Sequence, residues 1–206
     1  MKNYNFDCEY KKQFGVVAGC DEAGRGPLAG PVVVASVIMP LEKEKLILGI
    51  DDSKKLSAKK RELLFKKIVE TATTFSIKEI DNQTIDKINI FKATKLCMEN
   101  SINNLTVKPD LVLVDAMKNL KINCKQEGII RGDAMSYNIA SASILAKVYR
   151  DKLMTEFDKI YPNYNFKQHK GYGTKEHIEN LYKFGFCKLH RQTFLKHFSG
   201  VKKADE

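Results

Sequence analysis

The sequence predicts an α/β fold, a mixed β-sheet flanked by helices with a small C-terminal helical and loop segment, and three observations carry that prediction. Two runs rich in β-branched residues, Phe14 to Gly19 and Val32 to Met39, flank a Gly/Pro-rich bend and read as a pair of strands. Leu111 to Val114 is a continuous apolar run, the mark of a strand buried on both faces. Ile139, Ala142, Ala146, Tyr149, Leu153, Phe157 and Ile160 recur every three or four residues, which makes one face of a long helix. Strands first, then helix–strand–helix alternation, is the order of a mixed sheet with helices on its faces.

The remaining elements follow in chain order. Leu46 to Ile50 is expected as a third, short strand. Ser57 suits the N-cap of a helix running to about Thr71, with Leu63, Leu64 and Ile68 on one face. Thr73 to Ile80 predicts another strand. A helix is expected from about Thr84 to Asn104, with Ile88, Phe91, Leu96 and Met98 toward the core. Thr174 caps a further helix through Lys183, inside a basic, aromatic, loop-rich segment that begins near Tyr161 and predicts a small flap-like subdomain. No repeat, low-complexity block or Gly/Ser linker marks a domain boundary.

Composition removes several classes. The 206 residues are 43% hydrophobic and 29% charged, so wholesale disorder is out. The longest apolar stretch, Pro31 to Pro40, is half a membrane span. The first residues, MKNYNFDCEYKKQ, lack the apolar region of a signal peptide. Five cysteines, odd in number and never spaced C-x-x-C, read as free thiols in a reducing cytosol, which makes the expected location cytoplasmic. The net charge of +10 allows either a solvated basic surface or a polyanionic partner. Clustering favours the partner: Lys54, Lys55, Lys59, Lys60, Arg61, Lys66 and Lys67 crowd one segment.

The acidic residues are placed where chemistry would need them. Asp21-Glu22 follows the first strand, Asp115 ends the LVLVD run, and Asp133 stands just before the long helix. A carboxylate at the end of a buried strand costs desolvation unless it is paired or metal-bound. Singly, each could be a turn or helix cap. Strand ends from different parts of an α/β sheet converge on one edge, so the four together make a site. Neighbours on a strand point to opposite faces, so Asp21 and Glu22 are expected to share a site only if the chain leaves strand geometry at the Gly24–Pro27 turn. Four such carboxylates repel, by about 4 kcal/mol per close pair at an effective dielectric of 20. Two divalent cations would cancel the charge, and hard oxygen ligands suit Mg²⁺ or Mn²⁺ in phosphodiester displacement. A basic, acid-centred chain therefore reads as a metal nuclease rather than a passive nucleic-acid binder.

Competing motifs fail. Gly19-x-x-x-x-Gly24-Arg25-Gly26 has the glycine spacing of a phosphate loop but lacks its Lys-Ser/Thr, and Gly24-x-Gly26-x-x-x-Gly30 misses the dinucleotide fingerprint by one residue. His169 and His177 have no evident third zinc ligand and are expected at the surface or on phosphate. Cys20 is expected to pack rather than react.

Six motifs resemble the bacterial ribonuclease HII family: GCDEAGRGPLAGPVVVASV (19–37), DSKKLS (52–57), LVLVDAM (111–117), GDAMSYNIASASILAKVYRD (132–151), HKGYGTKEH (169–177) and HRQTF (190–194). They occur in the family's order from about Phe14 to Phe194. The resemblance implies a ribonuclease H-like fold over residues 14–160, preceded by an extension of residues 1–13 and followed by a basic segment, 161–206, packed on it. It also implies an enzyme, expected to be monomeric, that cuts the RNA strand of RNA–DNA hybrids and 5′ to single ribonucleotides embedded in duplex DNA. Mn²⁺ or Mg²⁺ would be the cofactor, two ions in the substrate complex, and the ends would be 3′-hydroxyl and 5′-phosphate. The family's acidic ligands map to Asp21, Glu22, Asp115 and Asp133, its Gly-Arg-Gly element to Gly24, Arg25 and Gly26, and its junction-sensing tyrosine to Tyr172. Lys54, Lys55, Lys147 and Lys170 are expected on phosphates. The related ribonuclease HIII carries an added N-terminal domain, for which some thirteen residues before the first strand are too few. A non-catalytic nucleic-acid-binding module on the same fold is the alternative, disfavoured because an intact acidic quartet serves no binding purpose.

Overall fold

The computed structural model describes residues 2–204. Helix α1 (Lys2–Phe14), absent from the sequence reading, comes first. Its Phe6, Tyr10 and Phe14, four residues apart, pack with Val17, Leu111, Leu113 and Ile139. Polar contacts fix its other end, where the Asp7 carboxylate accepts hydrogen bonds from the Asn138 amide and side chain, both at 2.7 Å.

Strand β1 (Val17–Ala23) runs further than expected, through Asp21 and Glu22. It pairs antiparallel with β2 (Val32–Ile38), which is buried along its whole length. The strand expected at Leu46 to Ile50 does not form. Gly49 adopts φ +86° and turns the chain, while the Ile47 amide donates to the Tyr137 hydroxyl at 3.0 Å instead of to a strand. Ser57 caps α2 (Ala58–Thr71) as predicted, its side chain accepting from the Lys60 amide. Leu64 and Ile68 are buried, but Leu63 is exposed because the buried stripe steps by four and leaves it beside the seam.

Strand β3 (Thr74–Ile80) pairs antiparallel with β2. The single helix expected next is two, α3 (Asn82–Ile88) and α4 (Ile90–Asn103). Asn89 breaks it at φ 67° and caps α4 through the Lys92 amide. The break also rotates the buried face of α4 onto Ala93, Cys97, Met98 and Ile102, so Phe91 and Leu96 are exposed. Strand β4 (Leu111–Asp115) pairs parallel with β1, and β5 (Lys125–Ile129) pairs parallel with β4. The polar sequence of β5, KQEGI, is that of an edge strand and carried no strand signal. A single turn, α5 (Gly132–Met135), leads into α6 (Tyr137–Ile160). The first half of α6 is buried all round rather than on one stripe, and Ile160 at its end is exposed. Short α7 (Phe166–His169) and α8 (Lys175–Phe184), the latter capped by Thr174, follow, and mostly irregular chain runs on from 185 to 204 with one helical turn at Gln192–Phe194.

The sheet order is β3-β2-β1-β4-β5. One face packs Ala18, Cys20, Val34 and Val112 against Cys97 and Met98 of α4. On the other, Val33, Ala35 and Val37 meet Ala140, Ala142 and Ile144 of α6. Cys20 is fully buried in the first of these cores, as a packing residue should be.

Candidate active site

Because β1 and β4 are parallel, their C-terminal ends lie at the same edge of the sheet. The last paired residues are Cys20 and Val114, so Asp21 and Asp115 follow side by side on the α6 face, continuing the row of Val17, Leu111 and Leu113. The chain does not leave strand geometry after Asp21: Glu22 and Ala23 still pair with Val34 and Val33 of β2. Glu22 therefore starts on the opposite face. It comes near Asp115 for a different reason than expected, since the β1–β4 ladder has ended and no strand pairs with that side of β1 there, although β2 still pairs with the other. Its carboxylate interacts electrostatically with Asp115. Asp133 joins from α5, whose start is pinned to β4 by the Gly132 amide donating to Asp115 Oδ1 at 2.7 Å.

Burial and mutual repulsion act on these acids together. Burial, then Glu22 and Asp115, hold the Asp21 carboxyl well above the ordinary carboxylate range. Burial likewise raises Glu22, against the pull of Arg25 at 3.3 Å, and raises Asp115, with Asp133 adding repulsion. Lys54 is a second cation that the chain supplies, beside Arg25. Burial disfavours its charge, but Asp133 (3.4 Å), Asp52 and Asp21 outweigh burial and raise its pKa. A hydrogen bond between Ser53 and Ser143 (2.9 Å) ties this lysine's segment to α6, and Ser143 works against the rise in the Asp21 pKa.

The donor set fits a hard divalent cation. All four groups are carboxylates, and Glu22 Oε2 is buried with no hydrogen-bond partner, an oxygen left available to a ligand. Among the described residues no three His, Cys, Asp or Glu side chains are already closed into a metal cage. The acids are gathered but not drawn together, as expected of four like charges that, among the described residues, Arg25 and Lys54 offset only in part.

The other predicted site residues divide into those the fold brings together and those it does not. Gly26 and Tyr172 meet: a Cβ on Gly26 would find nothing within 4 Å except the Tyr172 ring, at 3.9 Å. Arg25 is exposed and ion-paired to Glu22. Gly24 is buried at φ +93°, and a Cβ there would sit 2.0 Å from the Arg150 guanidinium, so its lack of a side chain is required by packing. Lys147 pairs with Asp151 at 2.7 Å and Lys170 donates to Thr155 at 3.3 Å, both beside a groove that includes Arg61 and Val148. Lys55 turns away to Asp51.

His169 and His177 are buried, which corrects their expected surface placement. His177 Nδ1 lies 2.9 Å from the Tyr172 carbonyl and must donate to it, so His177 Nε2 accepts from His190 Nε2 at 3.0 Å. His190 Nδ1 then accepts from the Cys187 amide at 3.0 Å. His169 Nδ1 accepts from the Gly171 amide at 3.2 Å. His177 and His190 are neutral struts under the Tyr172 loop, and burial lowers the pKa of His177 to about 4 and of His190 to about 3.

The sequence reading also passed over Arg150 and Arg191, the two largest fully buried side chains. An arginine reads as surface by default. The available signal was the glycine-rich 24–31 segment, whose many turned-in carbonyls need buried donors.

Comparison with known proteins agrees with the geometry. The family model described as Ribonuclease HII matches residues 18–198. The chain is 52% identical over 186 residues to Ribonuclease HII of Caldicellulosiruptor saccharolyticus, covering 90% of each chain. The ribonuclease H2 structure from Pyrococcus horikoshii OT3 superposes with a TM-score of 0.76 at 26% identity, covering 86% of this chain and 92% of that one. Bst-RNase HIII, solved in complex with Mn²⁺, shares the fold at a TM-score of 0.70 and 18% identity, over 82% of this chain and 61% of that one. The five-stranded mixed sheet flanked by helices is thus a ribonuclease H-like fold. With the acidic edge, the Gly-Arg-Gly loop and the family match in agreement over most of its length, the chain belongs to the ribonuclease HII family.

Proposed function

We propose that Asp21, Glu22, Asp115 and Asp133 hold the divalent ions, Mg²⁺ or Mn²⁺ and two in the substrate complex, with which this chain cuts its substrate. As a ribonuclease HII it is a hydrolase, an endonuclease acting on RNA–DNA hybrids and on ribonucleotides embedded in DNA. The observation that carries the reading is the buried Glu22 oxygen with no partner among the described residues, beside two carboxylates whose pKa values burial and then their acidic neighbours raise. Divalent ions bound there would supply an activated water and stabilise the leaving oxygen.

The chain's own residues present the substrate. The main chain at Gly24 and Gly26 receives the ribose 2′-hydroxyl, the group that separates RNA from DNA. Gly26 supports this because its open side faces only Tyr172. Arg25, exposed beside Glu22, holds the neighbouring phosphate. The Tyr172 ring, 44% exposed, lies against the next sugar, where a deoxyribose fits. Lys54, Lys55, Lys147 and Lys170 contact phosphates and set register rather than specificity. Among the described residues no helix is long and apolar enough to cross a membrane. The reading extends to a monomer working in the cytoplasm.

The test is a duplex holding one ribonucleotide, incubated with Mg²⁺, Mn²⁺ or chelator. One cut 5′ to the ribonucleotide is expected, with 3′-hydroxyl and 5′-phosphate ends, only where metal is present. Cleavage that persists in chelator would overturn the metal assignment.

A further inference from the structure

Arg150 and Arg191 are fully buried, and among the described residues neither reaches a carboxylate within ion-pair distance. Their donors go instead to backbone carbonyls of one loop. Arg191 donates to Gly24 (2.6 Å), Arg25 (2.8 Å) and Gly30 (2.8 and 3.0 Å). Arg150 donates to Pro31 (3.0 Å), Ala29 (3.1 Å) and, across to the tyrosine loop, Lys170 (2.9 Å). Backbone bonds complete the join, from the Leu28 amide to the Gly171 carbonyl at 2.8 Å and from the Gly30 amide to the Leu189 carbonyl at 2.9 Å. The Arg150 guanidinium also lies 6.0 Å from the centre of the Tyr172 ring.

A buried guanidinium without a counter-charge is costly, so its retention needs a reason. A single salt-bridged side chain would satisfy the charge but could not define a loop. Two planar five-donor groups, each spread over several carbonyls, define the path of the whole 24–31 segment. The glycines agree with this. Gly24, Gly30 and Gly171 all have positive φ, and a Cβ on any of them would strike Arg150, Met154 or the Ala29 carbonyl within 2.5 Å.

We infer that Arg191 and Arg150 are positioning residues that lock the Gly24–Gly26 main chain and Tyr172 into one preformed unit, so that a ribonucleotide is recognised by a loop already shaped for it. The inference rests on the reading that these two elements contact the substrate. Specificity by hydrogen bonding to a single hydroxyl requires such preorganisation, because a loop free to move would satisfy itself on either sugar. Arg191→Lys keeps the charge and loses the fork, so it separates positioning from electrostatics.

The experiment measures binding in chelator, at fixed salt, to an all-DNA duplex and to the same duplex with one ribonucleotide. For Arg191→Lys and Arg150→Lys the preference for the ribonucleotide duplex should fall about tenfold or more, with all-DNA binding changed less than about threefold. A folded variant with reduced melting temperature but unaltered preference would overturn the inference and leave the arginines as packing. Gly26→Ala is the control for the underlying reading: if it leaves the preference intact, the loop does not read the sugar at all. Loss in Gly26→Ala without loss in either arginine variant refutes the clamp alone. Should both arginine variants fail to fold, hydrogen exchange on the wild-type protein decides. The Leu28 and Gly30 amides should be protected like those of β1 before any substrate is added, and exchange at open-loop rates would refute the clamp.

Discussion

Two buried regions a few residues apart carry opposite charge and treat it differently. At the end of β1, Asp21, Glu22, Asp115 and Asp133 gather with Arg25 paired to Glu22 and Lys54 to Asp133, and among the described residues one buried Glu22 oxygen has no hydrogen-bond partner. Beneath the following loop, Arg150 and Arg191 reach no carboxylate within ion-pair distance among the described residues, yet both place their donors on carbonyls. Both regions bury charge, but only the acidic one leaves bonding capacity open. An electrostatically strained site with open oxygens is built to receive something. A charged site saturated by main-chain dipoles is built to hold a shape. Neutralising an acid at the first and breaking the guanidinium fork at the second should therefore move stability in opposite directions.

The largest effect is expected at the acids. Asp21→Asn or Asp115→Asn should lower turnover by about 10²–10³-fold or more, with duplex binding nearly unchanged. In chelator, Asp21→Asn should melt higher than wild type, because repulsion from Glu22 and Asp115 is relieved. A variant keeping more than about a tenth of wild-type turnover would refute the assignment. Stability should move the other way beneath the loop. Arg191→Lys strands carbonyls and should cost about 2–4 kcal/mol, or roughly 5–15 °C in melting temperature for a domain of this size. An unchanged melting temperature would abolish the contrast.

Acid titration sharpens the same comparison. His177 and His190 have folded pKa values of about 4 and about 3 against an ordinary 6.5, so the unfolded chain takes up protons first. Their contribution is complete above pH 6.5 and is lost as pH falls from there toward 4, at up to about 1.4 kcal/mol per pH unit for each group. Asp21, Glu22 and Asp115 have raised folded pKa values and act in the opposite sense. Their contribution is present below the ordinary carboxylate pKa and is lost as pH rises. Melting curves in chelator between pH 4 and 7 should thus show His190→Gln flattening the acid-side loss, and Asp21→Asn gaining most over wild type at the neutral end. The same slope in His190→Gln and wild type would show that the histidines are not the titrating groups.

Two smaller effects test the reading surface. Tyr172→Ala should reduce kcat/KM at a single embedded ribonucleotide more than within a continuous hybrid, by about tenfold in the ratio. Equal losses on both substrates would make the ring a packing element. Lys54→Gln should reduce the salt slope of duplex binding by about one unit, and Lys55→Gln by less, since Lys55 faces Asp51 and the solvent. Equal slopes in the two variants would place both lysines in the same relation to phosphate.

The sequence by itself determined strands β1 to β4, the caps at Ser57 and Thr174 and the long helix, and it singled out four acids that the fold brings to one edge of the sheet. Each rests on local chemistry: β-branched runs, hydroxyl caps, a helical period, and the cost of an acid at a buried strand end. Tertiary structure decided the rest. Edge strand β5 is polar and is held by its pairing with β4, while α1 has one short Phe6–Tyr10–Phe14 stripe and depends for the rest on Asn138, distant in sequence. The break at Asn89 depended on one residue's backbone angle. That Glu22 could join Asp21 without leaving the strand required knowing where the β1–β4 ladder ends. The buried arginines and histidines were least legible, because a polar side chain becomes internal only when partners distant in sequence supply its hydrogen bonds. Arg191 finds its partners some 160 residues away, at Gly24, Arg25 and Gly30, and only the folded chain brings them within reach.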